Sequence, residues 1–163
     1  MTVSPVGIFG NSFTSVVNLF ANCAEIQTML GVGSAAAATP LIQYGRSHGV
    51  ITPPAVFVNI HKIERPQIAL DTWGLQCDVA AWIAWPFAPM AQVGDTSLDK
   101  FMRALNRADM INYQMRALVA TNDPTLPARL DELEFLTPRM CADDDTELKG
   151  CFELGITFTS IWK

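Results

Sequence analysis

Residues 73–85, WGLQCDVAAWIAW, decide the fold. Taken in steps of two, Cys77, Val79, Ala81, Ile83 and Trp85 share one side, with Gln76, Asp78 and Ala80 opposite. A β-strand has that period, because its successive side chains point to opposite faces. Pro86 and Pro89 end the run, since proline cannot donate to a ladder. Upstream, residues 55–63, AVFVNIHKI, alternate in the same way: Val56, Val58 and Ile60 point one way, Asn59 and His61 the other. The pair Pro53-Pro54 closes the loop before them, and a connection through Pro66 and Asp71 joins the two runs. Together they predict a long antiparallel hairpin.

Two further alternating runs lie toward the C-terminal end. Leu133 and Phe135 alternate with Glu132 and Glu134, and Phe152, Leu154, Ile156 and Phe158 alternate with Glu153, Gly155, Thr157 and Thr159. Helical spacing brackets the hairpin. Val16, Val17, Phe20, Cys23, Ala24 and Met29 or Leu30 recur at steps of three and four, with Ser12 or Thr14 as cap and Gly31 as stop. Ala35 to Ala38 form a short turn that Pro40 ends. A second helix, capped by Asp95 or Ser97, aligns Leu98, Phe101, Leu105, Ala108, Ile111 or Asn112, Met115 and Leu118. Lys100, Arg103, Arg107 and Gln114 occupy its other side, and it closes before Asn122-Asp123-Pro124. Residues 1–11, with Pro5, Gly7 and Gly10, read as an arm, and residues 12–163 as one domain. Four antiparallel strands with one apolar face need a cover, which the helices supply. The fold expected is α+β: an antiparallel sheet of about four strands with two long helices packed on one face.

Composition narrows the function. The chain has 163 residues, enough for one domain with a real core. Half of its residues are apolar, 17% are charged, and the mean hydropathy is +0.22. Burial of apolar surface against other subunits explains that excess. A net charge of -5 argues against sequence-specific or general nucleic-acid binding, which needs a basic face. Before Arg46 the only charged side chain is Glu25, so the basic start of a secretory signal is not expected, and Asn18, Asn22, Glu25 and Gln27 interrupt the stretch from Phe13 to Leu30, so neither is a membrane span of about 20 apolar residues. Cys23, Cys77, Cys141 and Cys151 are widely spaced, with no CxxC and no Cys/His cluster. They read as small buried thiols, reduced in a cytoplasm.

No catalytic constellation emerges, and no cofactor or metal is expected. Gly31, Gly33 and Ala36 match a loose dinucleotide fingerprint, but they follow a helix instead of a strand, and Ile51, Thr52 and Pro53 stand where the ribose-binding acid belongs. His48 and His61 have no ligand partners at metal-binding spacing and read as surface residues. Asp143, Asp144 and Asp145 lack the glycine and alternating ligands of a calcium loop. They read as a solvated hairpin tip, or as an acidic surface toward a partner or a lumen. Trp82 is the sharper feature. In an alternating strand it falls opposite Trp85, so if Trp85 faces the helices, Trp82 faces away and suggests a subunit contact. Ile161, opposite Trp162, follows the same argument.

The order of elements (helix, hairpin, helix, closing strand pair) resembles the tail-terminator and neck proteins of tailed phages from about Phe13 to Trp162. The resemblance is one of order and length, and it carries over no functional residue. It implies a virion protein assembled in the host cytoplasm: a homo-oligomeric ring, commonly hexameric, with no enzymatic activity. Such a ring ends growth of the tail tube and joins tail to head, with the tail-tube protein and the head-side connector as partners. Another phage structural subunit, or a small ligand-binding or enzyme domain, would have much the same sequence pattern.

Overall fold

The computed structural model describes residues 7–44, 53–65, 67–69, 72–73, 75–86, 92–120, 130–136, 139–140 and 151–162. It opens with helices α1 (Ile8–Asn22), α2 (Ala24–Met29) and α3 (Ala35–Ala38), followed by a 3-10 turn, Thr39–Leu41. Strands β1 (Ile42–Tyr44), β2 (Ala55–Glu64), β3 (Gln67–Ala69), β4 (Thr72–Trp73) and β5 (Leu75–Pro86) come next. Helix α4 (Ser97–Ala120) precedes β6 (Glu132–Phe135), β7 (Arg139–Met140) and β8 (Cys151–Trp162). The fold is α+β.

β5 lies at the centre of the main sheet. It pairs antiparallel with β2 on one side and along its whole length with β8 on the other. Its inner face lies in the core, and Ala80 and Ala84 on its outer face are buried as well, which explains why its sequence is almost continuously apolar. The sheet order is β1-β2-β5-β8-β6, with β7 also on β8, while β3 and β4 form a separate small ribbon. β1 runs parallel to β2, from Ile42 against Val56 to Tyr44 against Val58. The sheet is therefore mixed and larger than the four antiparallel strands expected.

Both long helical segments cover one face. Cys77, Val79, Ala81, Ile83 and Trp85 are buried there, beside Phe152, Leu154, Ile156 and Phe158 of β8. Phe20 of α1 meets Phe158 edge-on at 5.7 Å, and Phe101 of α4 lies 6.0 Å from Phe152. Positions 152 and 158 share a side of β8, so α1 and α4 share a side of the sheet. Ile111 and Met115 complete the α4 contribution to this core.

The helix boundaries differ from expectation for local reasons. α1 begins at Ile8, ahead of Ser12, with Gly7 at φ 140 as its N-cap. Residues 8–11 thus belong to the helix, and Ser12 is buried within it. The helix expected to run on to Met29 or Leu30 breaks at Cys23, whose backbone is extended. Gln114 of α4 repairs the break: its Oε1 accepts from the Glu25 N–H at 3.0 Å and from Cys23 Sγ at 3.1 Å. Gln114 therefore faces α2, not solvent as its polarity suggests. Arg107 adds an ion pair to Glu25 at 3.4 Å. Gly31, at φ 72, ends α2 as expected. The Val32 N–H donates to Gln27 O and the Gly31 N–H to Thr28 O, the paired closure of a Schellman motif. α4 is capped by Thr96, not by Asp95 or Ser97. Its Oγ1 accepts from the Asp99 N–H at 3.2 Å, while Asp99 Oδ2 accepts from the Thr96 N–H at 2.8 Å, forming a reciprocal capping box.

Candidate interaction surface

The sheet face away from the helices carries Trp82 and Ile161, as side-chain parity on β5 and β8 requires. Each is 36% exposed. Trp82 pairs in register with Phe57 of β2 and Gly155 of β8. Next to Gly155 stands Leu136, whose N–H donates to Gly155 O at 2.9 Å. A Cβ on Gly155 would lie 2.8 Å from Leu136 Cδ1, so the glycine leaves room for Leu136 close to Trp82. Ile161 is not part of this group. It pairs with Gln76, far along the strand from Trp82. With a rise of about 3.4 Å per residue, Gly155 and Ile161 lie about 20 Å apart. Asp131 holds that end: its Oδ2 accepts from the Ile161 N–H at 2.8 Å, and its own N–H donates to Thr159 O at 2.8 Å.

Between the two apolar ends the surface is polar and organised around Asp78, which is only 9% exposed. Gln76 Nε2 donates to both carboxylate oxygens, at 3.0 and 3.3 Å. Thr159 Oγ1 donates to Oδ1 at 2.9 Å. Neutral donors thus satisfy this buried carboxylate. Beside it opens a groove of about 350 Å³, with Trp82, Leu136, Glu134, Thr157, His61 and Lys62 among its walls. Lys62 is ion-paired with Glu64, which pushes the ammonium pKa up through their hydrogen bond.

The outer face is not open throughout. Ala55, Phe57, Ala84 and Cys151 form a second buried cluster on it, separate from the main core. The exposed apolar surface begins beside that cluster, at Trp82.

The sequence pattern missed another apolar surface. Leu98, placed among the core positions of α4, is 67% exposed, and Met102, Met110 and Tyr113 are exposed as well. At 100° per residue these four side chains fall on one stripe, opposite Ala104, Ala108, Ile111 and Met115. The signal was present as a second set of apolar residues out of phase with the first.

Asp143, Asp144 and Asp145 lie outside the described residues, as do His48 and Cys141. Cys23 and Cys77 are buried free thiols, and Cys151 is buried as well. Burial pushes the Cys23 and Cys77 thiols up. Among the described residues no group of three His, Cys, Asp or Glu side chains is placed to hold a metal ion, and no helix is long and apolar enough to cross a membrane. No protein-family model matches the chain, and no curated protein matches its sequence.

Proposed function

We propose that this chain is a non-enzymatic structural subunit that assembles with copies of itself into a ring, and that the ring sits at the head-proximal end of a phage tail, where it stops tube growth and meets the head connector. One observation carries the self-assembly: Trp82, on the central strand, stands 36% exposed on the sheet face that the helices leave uncovered. Most of the side chain is covered within the monomer, and an interface that covers the rest gains a rigid, amphipathic anchor. The apolar excess of the whole chain supports the same reading, and the order of elements supports the place in the virion. The polar atoms around Asp78 support it too, because Gln76 and Thr159 already engage the carboxylate and leave it a structural role.

The phage role is tested by a null mutant. Tails of irregular length, or finished tails not joined to filled heads, are expected. Normal-length tails joined to heads would refute the terminator role. The groove beside Asp78 supports a second reading, a small ligand-binding domain, since convergent polar groups around an aromatic wall suit a ligand. A protein that stays monomeric at high concentration and is absent from particles would favour that reading.

A further inference from the structure

The groove on the outer sheet face has a floor of small residues, one apolar end and an unengaged acid. Its floor is Ala80 of β5 and Thr157 of β8, which pair in register. Trp82 and Leu136 wall one end, and Asp78 lies beyond the floor on β5. Glu134, the register partner of Thr157 on β6, closes one side, and His61 and Lys62 of β2 close the other. At about 350 Å³ it is at the small end of ligand pockets. We infer that this groove binds a small organic cation, a primary ammonium or guanidinium on a short apolar body, with the cation between Trp82 and the Glu134 carboxylate and the body against Leu136. The inference rests on the ligand reading of the groove and names its ligand class. It does not depend on assembly, because every lining residue belongs to one protomer.

Charge is the first argument. Asp78, Glu134 and Glu64 stand around the groove against Lys62, whose ammonium is already paired with Glu64. An anion would meet repulsion there, and a cation would not. Asp78 is held by Gln76 and Thr159. Glu134, by contrast, is exposed, and no hydrogen bond or ion pair among the described residues engages its side chain. It is therefore the acid left for a ligand. Spacing is the second argument. β8 separates β5 from β6, so Glu134 stands two strands from Asp78, about 10 Å across the sheet. A compact metal ion cannot touch both, and among the described residues no group of three His, Cys, Asp or Glu side chains is placed to hold one. A larger organic cation can lie between them. The third argument is the wall. A cation within about 6 Å of an indole ring is attracted by its π-face, and the Thr157 hydroxyl beside Glu134 can accept an N–H. A neutral apolar ligand would strip water from Glu134 and Thr157 and return nothing for it.

The test is a titration of the full chain with n-butylammonium and n-butylguanidinium, beside n-butanol and butyrate as the uncharged and anionic counterparts. Proton–nitrogen NMR reads the Trp82 indole N–H and the Thr157 amide N–H. Both cations should shift these signals to saturation, and butanol and butyrate should not. Glu134→Gln, at an exposed position that should leave the fold intact, should weaken binding roughly threefold to fivefold. Glu132→Gln, which removes an equal charge outside the groove lining, should weaken it less. Butanol or butyrate binding as tightly as the cations, or an unchanged affinity in Glu134→Gln, would overturn the cation assignment while keeping the groove as a ligand site. Failure of every probe to shift these signals would remove the ligand reading of the groove as well.

Discussion

Replacing Gln114 with leucine removes the α4 side chain that repairs the break between α1 and α2. Leucine matches glutamine closely in size and in helix propensity, so α4 itself should be unaffected. The Glu25 N–H, now bonded at 3.0 Å, and the Cys23 thiol, at 3.1 Å, lose their acceptor. Leaving a buried donor unsatisfied costs about 1–3 kcal/mol. The site is partly buried, so the lower half of that range, about 1–2 kcal/mol, applies. For a chain of this size each kcal/mol lowers Tm by about 2–4 °C, so thermal unfolding followed by circular dichroism should show a fall of about 2–8 °C. Exchange of the Glu25 amide hydrogen should accelerate by more than the loss of global stability explains, because the opening is local. Cys23→Ala combined with Gln114→Leu should cost less than the two changes added together, since both act on one contact. A Tm within about 1 °C of the unaltered protein, with Glu25 exchange unchanged, would refute the role given to Gln114.

The phase of α4 can be checked by two truncations: Met115→Ala should cost about 2–5 kcal/mol because its side chain is fully buried, whereas exposed Leu98→Ala should stay within about 0.5 kcal/mol, and equal effects on chemical denaturation would contradict the orientation. At the helix start, the Arg103 hydrogen bond holds Asp95 below its ordinary 3.8, and the Thr96 hydroxyl does the same for Asp99. A depressed carboxylate contributes stability above 3.8 that is lost as pH falls through the lower folded value, so NMR titration should find both midpoints below 3.8; a midpoint at or above it would contradict the Arg103 bond for Asp95 and the capping box for Asp99. Cys23 and Cys77 should resist alkylation in the native protein and label on unfolding, and non-reducing mass analysis showing two hydrogens lost for that pair would refute their assignment as free thiols.

The parts of the fold visible in the sequence are those governed by local period. The alternation of residues 73–85 places Trp85 in the core and Trp82 outside, because parity alone decides the face of a strand. Gly31 reads as a helix stop because a left-handed residue is a local requirement. What stayed hidden depends on contacts distant in sequence. Cys23 lies in a run whose spacing favours continuous helix, and the break there is compensated by Gln114 from another element. β1 is three residues long and gains its place by pairing parallel to β2 and by burying Ile42 in the core. Parity puts Trp82 and Ile161 on one face, but the register of β5 against β8 sets them at opposite ends of it. Leu98 fits the core spacing through Phe101, yet it lies on the exposed stripe of α4, opposite Ala104, Ala108, Ile111 and Met115.

The most direct measurement is the mass of the native protein in solution, taken beside that of Trp82→Glu. A ring-forming subunit should give a discrete multi-subunit species, and the variant should fall to monomers with its circular dichroism and Tm unchanged, because a charge at the anchor would be desolvated on association. A protein that is monomeric at high concentration, or a Trp82→Glu variant that assembles as the unaltered chain does, would contradict the assignment of the outer sheet face as a subunit interface.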